Sequence, residues 1–302
     1  MTSFPLSRSL EIGETLTQSE VEDAFNTNFG YQFKGITLRS LEEGRYVILL
    51  ANKGEVYNDE LGRNDEFTYE GEGVPDKGDQ KATPANEALI DAVQDPLPIY
   101  LFTSEEGIDQ YEYRGLVEVK DYSYVSDGER MVYRFEMNRL SVSSWDEYKQ
   151  AETEVEELSR QPPSLTEDES RYATSRSRIR SSVFARKVKS RNDYACAVCG
   201  CRRFSPEGRP EVEAAHIYPK SEAGPDDPRN GIPLCKVHHW AFDCGWFSID
   251  DNSEILVKDS SDDAPPDVVS VLDGEILSQQ ATDDISPHPT YLAGHRQLHG
   301  FE

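Results

Sequence analysis

Cys196-Ala-Val-Cys199, Glu213-Ala-Ala-His216-Ile217, Asn230-Gly231, Leu234-Cys235-Lys-Val-His238-His239 and Phe242-Asp243 follow one another in a single stretch of the chain. All five cysteines and three of the six histidines lie in it or one residue beyond. Cys196-x-x-Cys199 and Cys235-x-x-His238 make two ligand pairs separated by a long loop. Zinc takes four thiolate or imidazole ligands in a tetrahedron, and two short spacings let two knuckles supply them. The spacing therefore predicts structural Zn2+ on Cys196, Cys199, Cys235 and His238. A dithiol redox pair would need a thioredoxin-like βαβ setting, which this stretch lacks. His239 and Asp243 are four residues apart, so a helix puts both on one face.

From Glu213-Ala-Ala-His216-Ile-Tyr-Pro219 through Asn230-Gly-Ile-Pro-Leu-Cys235-Lys-Val-His238-His239-Trp-Ala-Phe242-Asp243-Cys-Gly245, the chain resembles the HNH (ββα-metal) nuclease family. The resemblance covers residues 185–250. It implies two short strands and then a helix carrying the last histidine. Phosphodiester hydrolysis needs an activated water, a metal charge beside the scissile phosphate and a positioned base. By the match His216 is the general base, Asn230 orients it or assists the metal, and His239 is a ligand of Mg2+ or another divalent ion. Asp243 is a second candidate ligand. Many members place Asp or His immediately before the catalytic histidine, where this chain has Ala215. Glu213, two residues earlier and on the same side of a strand, is the candidate substitute. His238 is assigned to zinc because it completes Cys-x-x-His; the reverse assignment with His239 stays open.

Upstream, Gly35 to Leu140 reads mainly as strands. Tyr46–Ala51 and Pro98–Phe102 are apolar runs, while Tyr111–Val119 and Met131–Met137 alternate on either side of an Asp127-Gly128 turn. Two short helices are expected, one from Ser19 as N-cap and one over Asn86–Val93. Many strands with few helices imply a curved sheet or barrel. Three features lie in its loops: Tyr57-Asn-Asp59-Glu60, then Phe67-Thr-Tyr69-Glu-Gly71-Glu-Gly73, then Asp79-Gln80-Lys81-Ala-Thr83-Pro-Ala-Asn86-Glu-Ala88-Leu89. With Tyr113-Arg-Gly115, these resemble the SRA (YDG) domain, which binds modified cytosine in DNA. The resemblance implies a PUA-like fold and a flipped base stacked between Tyr57 and Tyr69, with Asp59 or Glu60 on its Watson–Crick edge. Stacking on an aromatic is worth ~1–3 kcal/mol per base, comparable to the cost of unstacking it. The loop from Gly73 to Gly78 is shorter than the finger many members use to read the opposite strand.

The totals bound the rest. With 31 basic and 57 acidic residues the net charge is −26, so contact with a polyanion must come from a local basic face. That balance, with Arg outnumbering Lys, suits a salt-rich cytoplasm. Between Arg171 and Lys220, twelve basic residues stand against four acidic ones. Arg178, Arg180, Arg186, Lys187 and Lys189 are the candidate phosphate contacts. No apolar run approaches the ~20 residues of a membrane span, and Met1–Leu10 does not read as a secretory signal. Clustered cysteines point to a reducing, cytoplasmic setting.

The expectation is an α+β chain in two domains. Residues 1–143 form an SRA-like modified-DNA-binding domain, 144–175 a helical linker, and 176–302 a zinc-stapled ββα-metal nuclease domain with an acidic tail. It would act as a modification-dependent restriction endonuclease on double-stranded DNA carrying 5-methyl- or 5-hydroxymethylcytosine, and a homodimer is a reasonable guess. An enzyme reading another modification such as phosphorothioate, or unmodified DNA, stays open. So does a non-catalytic zinc module.

Overall fold

The computed structural model describes residues 4–30, 35–52, 65–73, 77–104, 109–168, 174–206, 208–258, 266–278 and 285–301. The chain divides into two compact units, Met1–Gln150 and Ala151–Glu302. In sequence order the first unit contains β1 (Thr15–Leu16), α1 (Gln18–Phe25), β2 (Ile36–Leu41), β3 (Gly44–Asn52), β4 (Glu66–Glu70), α2 (Pro84–Asp91), β5 (Ile99–Ser104), β6 (Tyr111–Ser126) and β7 (Met131–Arg139). The division falls inside α3 (Trp145–Leu158).

The first unit is one curled sheet in the order β2-β3-β5-β6-β7-β4, with β1 added to β6. Among the described strands, only β3 and β5 run parallel. Both are buried on both faces, which is why each reads as a continuous apolar run rather than an alternation. One face holds Val47, Leu49, Leu101, Phe135 and Met137 with Leu89 of α2. The other face carries Tyr46, Tyr100, Phe102 and Tyr113 against Phe25 of α1. α1 starts at Thr17 rather than Ser19, through a capping box in which Thr17 and Glu20 satisfy each other's backbone N–H.

The sequence motifs upstream have structural jobs. Gly115 has φ +90° at the point where the β5–β6 register slips, and a Cβ there would lie 2.8 Å from the Val142 carbonyl oxygen. Gly71 lies so close to Gln80 and Asn86 that a Cβ would meet their amide oxygens at 2.8 and 2.9 Å. Gln80 donates to the Gly71 carbonyl (2.8 Å) and accepts from Tyr133 N–H (2.9 Å). Asn86 accepts from Glu72 N–H and donates to the Glu72 and Lys81 carbonyls. The Gly-x-Gly and Asp-Gln-Lys-x-Thr-x-x-Asn runs thus lock one another together at the end of β4.

The second unit continues with α4 (Thr174–Arg191), β8 (Glu213–His216), β9 (Gly231–Leu234), α5 (Lys236–Asp243), β10 (Phe247–Ile249), β11 (Ile255–Val257), α6 (Asp267–Ser270) and α7 (Pro289–His299). β8 and β9 pair antiparallel, with His216 opposite Gly231, and α5 follows directly. This is the ββα order that the resemblance implies. Its core joins Ala215, Ile217, Ile232 and Leu234 to Phe242, Phe247 and Tyr291. A Cβ on Gly231 would lie 2.2 Å from Val188 and 2.9 Å from Phe184, so glycine there lets α4 pack on the hairpin. No helix among the described residues is long and apolar enough to cross a membrane.

Candidate active site

β8 and α5 place the predicted chemistry on one cleft of about 510 Å³, whose walls include His216, Lys220, His239, Asp243, His295 and His299. His216 ends β8, its ring stacked on Phe184 at 4.1 Å and 15°. Its Nε2 lies 3.0 Å from an oxygen of Asp226. His239 stands on α5 with Nδ1 2.8 Å from Glu213 and Nε2 3.4 Å from Asp243. Two ligands held ~2.0–2.2 Å from one ion at cis positions stand ~3.0–3.4 Å apart, so the His239–Asp243 pair has the spacing of a divalent-metal chelate. The 2.8 Å contact to Glu213 is instead that of a hydrogen bond.

The residue beside these that sequence reasoning misses is Asp226. It is 2% exposed and contacts His216, the Lys220 ammonium at 3.1 Å and the Ser181 hydroxyl at 3.1 Å. Burial alone would raise its pKa, but the His216 hydrogen bond and the Lys220 charge outweigh that and hold it below the usual carboxylate range. His299 also lines the cleft. His295 is a packing residue: it stacks on Phe242 at 3.8 Å and meets the Ser248 hydroxyl, and burial drives its pKa down to about 3.

Asn230 does not face the cleft. It is fully buried, accepts from Tyr218 N–H at 2.8 Å and donates to the Tyr218 and Pro225 carbonyls at 3.0 Å each. Its amide is spent on bracing the loop between β8 and β9. The expectation that it orients His216 directly or assists the metal gives way to that role. Asn230→Ala removes the partner of the buried Pro225 carbonyl and of two part-buried Tyr218 backbone groups, and is expected to cost about 2–3 kcal/mol of unit stability, read as a lowered denaturant midpoint.

Cys196, Cys199, Cys235 and His238 converge, their ligand atoms all within 4.8 Å of one another. His238 Nδ1 is 3.4 Å from the Cys196 sulfur and 3.2 Å from that of Cys235. A tetrahedron with ~2.0–2.3 Å bonds has edges of ~3.3–3.8 Å, so three thiols and one imidazole could hold zinc with little movement. His238 therefore points into the cysteine cluster and His239 into the cleft. Burial pushes the Cys196 thiol up, yet hydrogen bonds from His238 and the backbone of Cys199, Cys235 and Val198 bring it down to about 6.

The basic island is a different matter. Arg178, Arg180, Arg186, Lys187 and Lys189 all lie on α4. Arg180 is 2% exposed and forks onto Glu167 at 2.7 and 2.9 Å. Arg186 pairs with Glu152 at 2.6 Å and Lys187 with Glu156 at 2.7 Å. Arg176 pairs with Glu154, while Arg178 and Lys189 are half-buried. The expectation of an open phosphate-binding face fails for Arg180, Arg186 and Lys187, because carboxylates of α3 and of the following loop already occupy them.

Of the residues suggested for base binding, Tyr57, Asp59 and Glu60 lie outside the described residues. Tyr69 is on β4, not in a loop. It is 4% exposed, with its hydroxyl donating to the Leu50 carbonyl at 3.0 Å, and burial pushes the phenol well above its ordinary pKa. Its ring belongs to the hydrophobic core of the first unit.

Residues 18–142 match the SAD/SRA domain family, and residues 196–250 match the HNH endonuclease family. Among solved structures, the chain is similar to the modification dependent TagI restriction endonuclease, with 18% identity over 99% of this chain and 96% of that one, at a TM-score of 0.53. A SUVH5 SRA–methylated CHH DNA complex aligns with 47% of this chain and 96% of its own at 19% identity and a TM-score of 0.37. A SUVH5 SRA bound to fully hydroxymethylated CG DNA aligns over the same shares at 22% identity and a TM-score of 0.37. No curated protein sequence matches the chain. The chain therefore carries an SAD/SRA domain followed by an HNH endonuclease domain.

Proposed function

We propose that this protein is a modification-dependent DNA endonuclease of restriction type. Its first unit would bind double-stranded DNA carrying a modified cytosine, and its second would hydrolyse a phosphodiester. The observation that carries the reading is the convergence of His216, His239 and Asp243 on one cleft, in a chain that also holds an SAD/SRA domain. The TagI enzyme, which aligns along nearly the full length of this chain, is itself a modification-dependent restriction endonuclease. A non-catalytic zinc module would have no use for His239 and Asp243 at chelating distance, separate from the cysteine cluster.

His216 takes the proton of the attacking water as the new P–O bond forms and the old one breaks. His239 and Asp243 would hold a divalent ion, and Glu213 would orient the His239 ring by its hydrogen bond to Nδ1 rather than ligate. That ion would supply positive charge for the scissile phosphate and leaving oxygen. Cys196, Cys199, Cys235 and His238 would hold zinc in a structural role. In the first unit, Tyr57 would stack on the base, with Asp59 or Glu60 on the base's polar edge, while Tyr69, buried in the sheet's core, would support that site from below. Free cysteines and an acidic surface suit a reducing, salt-rich cytoplasm.

Digestion of matched duplexes carrying cytosine, 5-methylcytosine, 5-hydroxymethylcytosine or phosphorothioate, with Mg2+ or Mn2+, tests the proposal. We expect cutting of the modified-cytosine duplexes at least ~10-fold faster than of the plain one, and loss of that preference in Tyr57→Ala. Equal cutting of all four would remove the sensing role. Preference for phosphorothioate alone would replace the base with the backbone as the mark.

A further inference from the structure

The most unusual group in the second unit is a buried carboxylate behind the cleft. Asp226 is not among the cleft-lining residues, yet one of its oxygens meets His216 Nε2 at 3.0 Å. The other oxygen is held by Lys220 Nζ and Ser181 Oγ, each at 3.1 Å. Its loop is braced on both sides. Asn230 fastens the Pro225 carbonyl, and Asp227 is tied by Arg229 at 2.7 Å and by the Tyr291 hydroxyl at 2.9 Å. Phe184 covers one face of the His216 ring. The ring thus has its plane set by one neighbour and its rotation by another.

The protonation pattern follows from donor and acceptor counting. An ionised carboxylate offers acceptors only. Asp226 stays ionised because the His216 and Lys220 contacts outweigh the cost of its burial. The hydrogen shared with His216 therefore resides on Nε2. A neutral imidazole with its hydrogen on Nε2 carries its lone pair on Nδ1.

We propose that Asp226 is the positioning residue of His216, fixing its ring and its tautomer so that Nδ1 is the atom that takes the proton from the attacking water. This rests on the nuclease role proposed for His216. In the step, the water oxygen bonds to phosphorus, its proton moves to Nδ1, and the P–O bond to the leaving oxygen breaks with its electron pair going to that oxygen. The resulting imidazolium lies against the Asp226 carboxylate, which lowers the energy of the charge pair as it forms. Lys220 and Ser181 keep the carboxylate from turning toward solvent. An amide at position 226 would preserve shape but can donate its own N–H to Nε2, which moves the ring hydrogen to Nδ1 and removes the base.

The test uses the full chain, wild type, Asp226→Asn, His216→Ala and the double variant, with zinc content and DNA affinity measured on each. Single-turnover cleavage by Asp226→Asn should fall ~10²-fold or more, with zinc and affinity unchanged. The same change in the His216→Ala background should alter the residual rate by less than ~2-fold, because two parts of one device are not additive. Ring 15N shifts of His216 should show hydrogen on Nε2 in the wild type and on Nδ1 in Asp226→Asn. Near-normal cleavage by Asp226→Asn, an equal loss in both backgrounds, or hydrogen on Nδ1 in the wild type would overturn the proposal. A wild-type chain that cuts no duplex would instead remove the nuclease reading, and the ring-shift measurement would still decide what Asp226 does to His216.

Discussion

His216→Ala is expected to lower single-turnover cleavage by ~10²–10⁴-fold, the range that a positioned base contributes. DNA affinity should stay within about 2-fold of wild type. The separation is expected because His216 sits in the cleft of the second unit with its ring supported from behind, and little of the fold depends on it. Removing it leaves Asp226 with Lys220 and Ser181 as partners, so no buried charge is stranded. The lost stack on Phe184 would cost on the order of 1 kcal/mol, which a thermal melt would register as a small shift. Retained cleavage at more than a tenth of the wild-type rate would transfer the base role elsewhere in the cleft, with His299 the next group to examine.

On the proposed function, withdrawal of zinc from the Cys196, Cys199, Cys235 and His238 cluster is expected to have the largest effect on the fold. α5 has only eight residues, and its N-cap, Cys235, makes no side-chain capping bond. A helix this short is marginal in water on its own. The two ligands it brings, Cys235 and His238, tie its first turn to the Cys196–Cys199 knuckle. Structural zinc sites in small modules contribute ~10–16 kcal/mol of apparent binding energy that is also folding energy. Chelation, or Cys235→Ser, should therefore melt the ββα region at a much lower temperature than the first unit and give two separated transitions. Cleavage should not return on adding Mg2+ alone, because His239 and Asp243 ride on the same helix. A chelated chain shown to be free of zinc that still melts in one unchanged transition would contradict this.

The sequence makes some elements legible and hides others for identifiable reasons. The ββα unit is readable because its ligands sit at short, fixed spacings that chemistry demands. β5, β6 and β7 are readable because apolar runs and alternation are local signals, and the Asp127-Gly128 turn marks the junction of the last two. The fate of the α4 arginines is not readable. Their partners, Glu152, Glu154 and Glu156, lie more than twenty residues upstream on another helix, and a count of charges carries no direction. Asp226 is hidden the same way: an Asp-Asp pair in a polar loop looks solvated until the loop folds back under His216. Asn230 reads as a chemical group only through the family resemblance, yet both of its amide hydrogens are committed to the Tyr218 and Pro225 carbonyls. Tyr69 reads as a loop residue because its neighbours are polar, although Phe67-Thr-Tyr69 alternates as a strand does.

The pairing of four α4 cations with glutamates also bears on how the molecule would search a genome. Affinity for an arbitrary duplex comes mainly from counterions displaced by free cations, and each phosphate contact adds about one unit to the salt dependence. In α4, Arg176, Arg180, Arg186 and Lys187 are already engaged by glutamates, and the whole chain carries −26. On the proposed function, the cutting unit has short residence on unmarked DNA and a shallow salt response of its own. Dwell time would then be set by recognition of the mark, and a cell's unmodified chromosome would be spared by weak adhesion as well as by specificity.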